Sequence, residues 1–339
     1  MSSTEFSRLV SVAPMMGWTD RHARYFLRLI SRHTLLYTEM VNTGAMLHNK
    51  QKIDGRPRFL AFHESEHPLA LQLGGSDPKA MAQCASMAED AGFDEVNINV
   101  GCPSDRVKSG NFGACLMAHP SLVAECVSEM KAKVDIPVTV KNRIGIDDME
   151  GYEPLEHFVD IVSQGGCETF IVHARKAWLQ GLSPKQNREV PPLIYEHVHR
   201  LKKEKPQLEI IINGGIKTLD VVREQLQHVD GVMIGREAYH NPYMLAEVDK
   251  TIYKDEDATV ASRLEVVERL CEYIDEQLSD EVELHSITRH ILGLYTGCRG
   301  ARLWRRYLSE NSHQKDAGSD LVREALKEVE PVEETPTRG

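Results

Sequence analysis

Eight short apolar runs, spaced through the first 245 residues, restrict the possible folds more than any other feature of this chain. They lie at 9–13, 34–40, 69–74, 95–100, 137–142, 169–174, 209–213 and 231–235. Most are β-branched and nearly uniform in polarity, as strands buried on both faces of a parallel sheet must be. Helix-like segments separate them at 77–91, 120–133, 152–164, 192–204 and 218–227. The first of these has Asp77 as N-cap, Pro78 at the first helical position and Gly92 just past its end. The alternation predicts an α/β fold, a (β/α)8 TIM barrel, which typically takes about 250 residues. An open doubly wound sheet loses its best support, because no G-x-G-x-x-G and no G-x-x-x-x-G-K-[ST] follows any strand.

The texture then changes. Residues 1–248 read as the barrel domain and the polar, acidic stretch 249–262 as a linker. Beyond it Leu264, Val267, Cys271, Ile274 and Leu278 recur at three- and four-residue steps, as do Leu284, Ile287, Ile291 and Leu294. A smaller all-helical C-terminal domain is expected over 263–329, with an acidic, frayed tail at 330–339. In the helix predicted at 299–311, Arg299, Arg302, Arg305 and Arg306 fall within one arc, while Trp304 and Leu308 lie on the other side. Lys and Arg outnumber Asp and Glu by six to one over 285–315, a local +5 in a chain of net charge −11. Binding to a polyanion responds to such local patches, so the net charge is a poor guide to partners. A second basic run, 185–205, holds Lys185, Arg188, Arg200, Lys202, Lys203 and Lys205 and is expected to help.

With 41% hydrophobic and 27% charged residues the composition is that of a globular protein, and no apolar run approaches the roughly 18 residues of a membrane helix. The start shows no basic segment followed by an apolar one, so no secretory signal is expected. Seven scattered cysteines, in no C-x-x-C pair, suit a reducing compartment, and the protein is expected in the cytoplasm. One metal motif is set aside. His63-Glu64-Ser65-Glu66-His67 matches H-E-x-x-H, but Pro68 follows at once and a strand begins just after, so both histidines cannot share a helical face. No metal is expected.

In such a barrel the chemistry sits at the C-terminal strand ends. The sequence delivers there Pro14, Met15 and Met16, then Glu39 and Met40, Gln72, Asn97, Asn99 and Cys102. Lys141, Arg143, His173, Arg175, Asn213-Gly214-Gly215 and Gly235-Arg236 follow. The last two groups suit a phosphate, with glycine admitting backbone N–H groups and arginine adding charge. Either glycine group alone would also serve as a tight turn. Lys141 and His173 project from otherwise apolar strands, and each could be a core group paired with a carboxylate. Their convergence with Gln72 and Asn97 on one rim favours the polar edge of a flavin, whose reduced, anionic form a cation stabilises. Cys102, between Gly101 and Pro103, is expected to be exposed and able to donate a proton, whereas Cys115, in an apolar stretch, is expected to pack.

These residues carry a resemblance. The ordered segments SVAPMMGWTDRHARYFLR, LLYTEMVNTGA, ALQLGGSDP, NINVGCPSDRVKSGNFGACLM and PVTVKNRIGIDD are similar to those of the tRNA-dihydrouridine synthases. So are FIVHARKAWLQGLSPKQNREVPPL, INGGIK, DGVMIGREAYHNPY and GARLWRRYLSEN, so that the resemblance spans roughly residues 10–312. GLSPKQNRE and GARLWRRYLSEN further resemble the bacterial subfamily acting on D-loop positions 20 and 20a. Asn142 departs from the threonine more usual in VKTR.

The resemblance implies an FMN enzyme that uses NADPH to reduce uridine in the tRNA D-loop. It implies FMN contacts from Pro14, Met15, Met16, Gln72, Lys141, His173, Asn213, Gly214, Gly215, Gly235 and Arg236. Cys102 would be the catalytic proton donor to C5, with hydride passing from flavin N5 to C6. Asn99, Lys185, Arg188, Arg302 and Arg305 would contact tRNA, and the protein would act as a monomer. Two other readings stand beside this one: a flavin barrel acting on a small pyrimidine or activated alkene, and a non-catalytic RNA-binding protein.

Overall fold

The computed structural model describes residues 6–53, 55–104 and 110–329. The tail 330–339 and residues 105–109, beyond Cys102, lie outside the described residues. The chain divides into two compact units, Met1–Arg21 with His33–Gly235, and His22–Arg32 with Arg236–Gly339.

In the first unit the strands are β1 (Val10–Val12), β2 (Leu36–Asn42), β3 (Lys52–Ile53), β4 (Arg56–Pro57), β5 (Leu69–Gly74) and β6 (Glu95–Val100). They continue as β7 (Val138–Arg143), β8 (Thr169–His173), β9 (Glu209–Asn213) and β10 (Gly231–Ile234). Eight of them form one sheet in the order β1-β10-β9-β8-β7-β6-β5-β2, its neighbours parallel throughout. A parallel bridge from Ser11 to Leu35 closes the ring, with Val12 N–H on the Leu35 carbonyl at 2.9 Å and Leu35 N–H on the Val10 carbonyl at 3.1 Å. The expected TIM barrel is therefore the fold. The antiparallel hairpin β3–β4 was not foreseen.

Local chemistry explains the elements. Asp77 Oδ1 accepts from Ala80 N–H at 2.7 Å and opens helix Pro78–Ala91, and Gly92, at φ +96°, ends it. His63-Glu64-Ser65-Glu66-His67 is instead a short 3-10 turn, Glu64–Glu66, capped by His63, while His67 Nδ1 lies 2.6 Å from Asp94.

Alternating side chains fill the barrel interior. Ala13, Leu35, Tyr37, Ala70, Ile171, Ile211 and Met233 form its apolar middle. At the N-terminal end Arg8 reaches Glu95 at 2.7 Å and Glu209 at 3.0 Å. Gly231 leaves room for this arginine, since a Cβ there would lie 2.2 Å from the Arg8 carbonyl.

The second unit is helical. Ser262 and Glu265 form a capping box at the head of Arg263–Ser279, the longest helix described. Trp304 is fully buried and donates from Nε1 to the Ile291 carbonyl at 3.1 Å. The division falls after Gly235, ahead of residue 248 where the sequence places the boundary. The reason is packing: Tyr243 donates to the Ala261 carbonyl at 3.0 Å and lies under the Arg263 guanidinium at 3.7 Å. The stretch read as a linker begins with buried Asp249, which accepts from Ser31 Oγ and Arg32 N–H, each at 2.6 Å.

Candidate active site

Strand register brings the polar residues together at the C-terminal rim of the barrel. Gln72 pairs with Asn97, Asn99 with Lys141, Arg143 with His173, and His173 with Asn213. Because side chains two apart share a face, these residues face the barrel interior above the apolar middle.

Hydrogen bonds fix most of them. Gln72 Nε2 donates to Asn97 Oδ1, and Asn99 Nδ2 donates to Gln72 Oε1, both at 2.8 Å. Asn99 Oδ1 accepts from the Gly101 and Cys102 amides at 3.1 and 3.0 Å. Lys141 Nζ donates to Asn213 Oδ1 at 3.1 Å, and Asn213 Nδ2 donates to the Met233 carbonyl at 2.8 Å. Met15 packs against the apolar middle, and its N–H is held by Thr19 Oγ1 at 3.0 Å, while Met16 is 60% exposed.

The site is strongly cationic. Burial and then the Arg143 guanidinium pull the Lys141 ammonium down to about 7, with the Cys102 side chain opposing. Arg143 falls to about 10 through burial, again opposed by Cys102 and reinforced by Arg188 and Arg175. Burial, Arg143, Lys141, Arg175 and Arg188 push His173 well below its ordinary range, so it is a neutral imidazole at pH 7. Positive charge concentrated at this rim favours an anionic ligand.

The glycines form a cradle. Gly214 and Gly215 have φ of +116° and +73°. A Cβ on Gly214 would lie 2.7 Å from His173 Cδ2, and one on Gly215 would lie 2.4 Å from Leu193. A Cβ on Gly235 would meet nothing within 4 Å, so the backbone is bare there. Arg236 opens helix Arg236–His240 and belongs to the second unit.

Cys102 is partly buried, with its Sγ 3.5 Å from Ser104 Oγ. Cys115 is also partly buried, so exposure alone does not separate the two. What does is that Cys115 donates to the Phe112 carbonyl at 3.1 Å and burial raises its pKa.

One rim residue expected from the sequence takes a role not assigned there, and one residue escaped the sequence reading. Arg143 donates to the Gly101 carbonyl at 3.0 Å and to the Asn187 carbonyl at 3.0 Å, joining two rim loops. Fully buried Asn187 receives Trp178 N–H at 2.7 Å and donates to the Trp178 carbonyl at 2.9 Å. It thereby shapes the loop on which Lys185 and Arg188 stand exposed. Nothing in the polar run PKQNRE marks its one asparagine as internal.

The basic segments differ. Arg302, Arg305 and Arg306 are exposed on helix Ala301–Asn311 and form no ion pair among the described residues. Most of 195–205, by contrast, already has carboxylate partners. Arg200 pairs with Glu204 at 2.8 Å, Lys202 with Asp230 at 2.8 Å and Lys205 with Asp160 at 2.5 Å. Three of the basic side chains of this run are thus already engaged with acids, whereas Lys185 and Lys203 are exposed. Among the described residues no helix is long and apolar enough to cross a membrane.

Known proteins resemble this chain over nearly its whole length. The dihydrouridine synthase family model matches residues 11–330. A tRNA-dihydrouridine(20/20a) synthase of Shewanella oneidensis is 58% identical over 97% of this chain and 96% of its own length. Synthases of the same name from Escherichia coli and Vibrio cholerae are 57% and 56% identical, over 97% and 94% of this chain and 93% and 96% of theirs. Among solved structures, a 2-naphthoyl-CoA reductase superposes with a TM-score of 0.53 at 10% identity, over 71% of this chain and 50% of its own, a likeness of fold.

Proposed function

This chain belongs to the dihydrouridine synthase family, and from that premise we propose that it reduces uridine in the tRNA D-loop to 5,6-dihydrouridine, at positions 20 and 20a. The observation that carries the reading is the meeting of a partly buried cysteine with a cationic, glycine-floored rim inside one barrel.

The residues suit FMN. Gln72, Lys141, His173 and Asn213 would hold the ring, with Pro14, Met15 and Met16 beside it. Gly214, Gly215 and Gly235, with Arg236 next in the chain, would hold the phosphate. The bare backbone and the excess of positive charge are what an anionic, phosphorylated ring requires. FMN, reduced by NADPH, would supply the hydride that reaches C6 of the base.

The chain's own residues supply the rest. Cys102 gives its thiol proton to C5, so that one hydride and one proton saturate the double bond, and the thiolate regains its proton from water. Lys141 and Arg143 interact attractively with the Cys102 side chain. Asn99 both holds the Cys102 amide and faces the rim where the base must enter. A base in folded RNA must leave its stack to reach such a depth. Lys185, Arg188, Arg302 and Arg305 would grip phosphates meanwhile. The reading places a monomer in the cytoplasm without a metal, which seven free cysteines suit.

The test is mass spectrometry of nucleosides after incubating FMN-loaded protein and NADPH with tRNA lacking dihydrouridine. A uridine heavier by two hydrogens at D-loop positions 20 and 20a is expected. A flavin that NADPH reduces, with no dihydrouridine formed in any tRNA, would overturn the reading.

A further inference from the structure

A single hydrogen-bonded chain runs from the N-terminal end of the barrel to the Cys102 loop. Glu95 Oε2 accepts from Arg8 Nε at 2.7 Å, and Glu95 Oε1 accepts from Tyr37 and Thr139 hydroxyls, each at 2.6 Å. Thr139 has one proton, and it is committed to Glu95. Its oxygen therefore accepts, from Asn97 Nδ2 at 2.8 Å. Asn97 Oδ1 then accepts from Gln72, Gln72 Oε1 accepts from Asn99, and Asn99 Oδ1 accepts from the Gly101 and Cys102 amides. Every link thus points the same way, from backbone N–H at the rim to carboxylate at the base.

Each amide in this chain carries a donor on one side and an acceptor on the other, so no member can turn over alone. Both ends agree on the direction. Glu95 can only accept and the backbone N–H groups can only donate. Glu95, Asn97 and Thr139 are 0% exposed and Gln72 is 1% exposed, so a broken link leaves a buried polar group without a partner.

We propose that Glu95 and Thr139 are positioning residues for Cys102, acting through Asn97, Gln72 and Asn99. This rests on the functional reading above only in giving Cys102 a proton to deliver. The charged anchor, several residues removed from the reaction, holds Asn99 in one rotamer. Asn99 in turn holds the backbone that aims the thiol.

Thr139→Val keeps the shape and removes the link. The control is Tyr37→Phe, which removes the other hydroxyl on the same Glu95 oxygen and leaves the amide chain intact. Alkylation of Cys102 by iodoacetamide is followed by peptide mass spectrometry in the FMN-loaded enzyme, alongside tRNA turnover. For Thr139→Val the alkylation rate is expected to shift about threefold or more and kcat to fall about tenfold. KM for tRNA and flavin reduction by NADPH should stay within about twofold, and Thr139→Ser should restore the lost rate. Tyr37→Phe should lower thermal stability without moving alkylation or kcat. If Thr139→Val behaves like Tyr37→Phe, losing stability alone, the proposal is overturned. A wild-type enzyme that forms no dihydrouridine would overturn the functional reading alone, because alkylation still reports the coupling.

Discussion

Lys141 of β7 donates to the neutral amide of Asn213 in β9, across the intervening strand β8, at 3.1 Å. Burial and Arg143 bring its pKa to about 7 from an ordinary 10.5. The unfolded chain therefore holds this proton over a range where the folded one has released it. Stability of the FMN-free protein should rise with pH from about 7 toward 10, because there the unfolded state binds more protons. An anion bound beside Lys141 works in the opposite direction, raising its pKa and taking up a proton. FMN affinity should be greatest below about pH 7 and fall as pH rises past it. Fluorescence titration of FMN at several pH values checks this, and Lys141→Met should flatten the profile. A wild-type affinity constant across that range would count against the site.

Gly214→Ala should damage the cradle in two ways. Its φ of +116° is strained for any side chain, and the new Cβ would press on His173 at 2.7 Å. Strain of this kind costs about 1–3 kcal/mol, so the melting temperature should drop. FMN affinity should fall as well, since His173 must move. Gly17→Ala offers the comparison, being at φ +75° with nothing within 4 Å of its Cβ. It should cost stability through its backbone alone.

The barrel was legible because its strands are short, uniformly apolar and punctuated. Asp77, Pro78 and Gly92 mark a helix by residue type alone, and the structure places cap, start and stop on those residues. Rim residues were legible for a similar reason, since Lys141, His173 and Asn213 are polar interruptions at the ends of apolar strands. What stayed hidden depends on partners distant in sequence. Glu95 stands first in its strand, and only Arg8, 87 positions away, makes it a buried anchor. Asp249 reads as part of a polar linker until Ser31, 218 positions earlier, is seen to donate to it. Arg200, Lys202 and Lys205 read as a basic patch because their acids, apart from Glu204, lie on other segments.

Cys102 and Cys115 are both partly buried, which makes their comparison decisive. Cys102→Ala should retain FMN and its reduction by NADPH while slowing dihydrouridine formation by about 10²–10⁴-fold, the usual contribution of a general acid. Cys115→Ala should leave turnover within about twofold, because its thiol is engaged by the Phe112 carbonyl. Single-turnover reaction of the prereduced enzyme with tRNA separates the two half-reactions. Full activity in Cys102→Ala would remove the cysteine from the proton-donor role.

The exposed arginines of helix Ala301–Asn311 should act through phosphates. Trp304 and Leu308 anchor one face of this helix in the second unit, leaving Arg302, Arg305 and Arg306 on the open face without ion-pair partners among the described residues. Each phosphate contact displaces counterions, so each arginine removed should shallow the dependence of log affinity on log salt by about 0.7–0.9. Arg302→Ala and Arg305→Ala should therefore weaken tRNA binding most at low salt and converge on wild type as salt rises. Arg200→Ala is the contrasting case. Its guanidinium already pairs with Glu204 at 2.8 Å and covers the Tyr152 ring at 4.0 Å. Its loss should leave the salt slope unchanged. Filter binding across a salt series measures all three, and an unaltered slope in the Arg302 and Arg305 variants would exclude this helix face from the RNA contact.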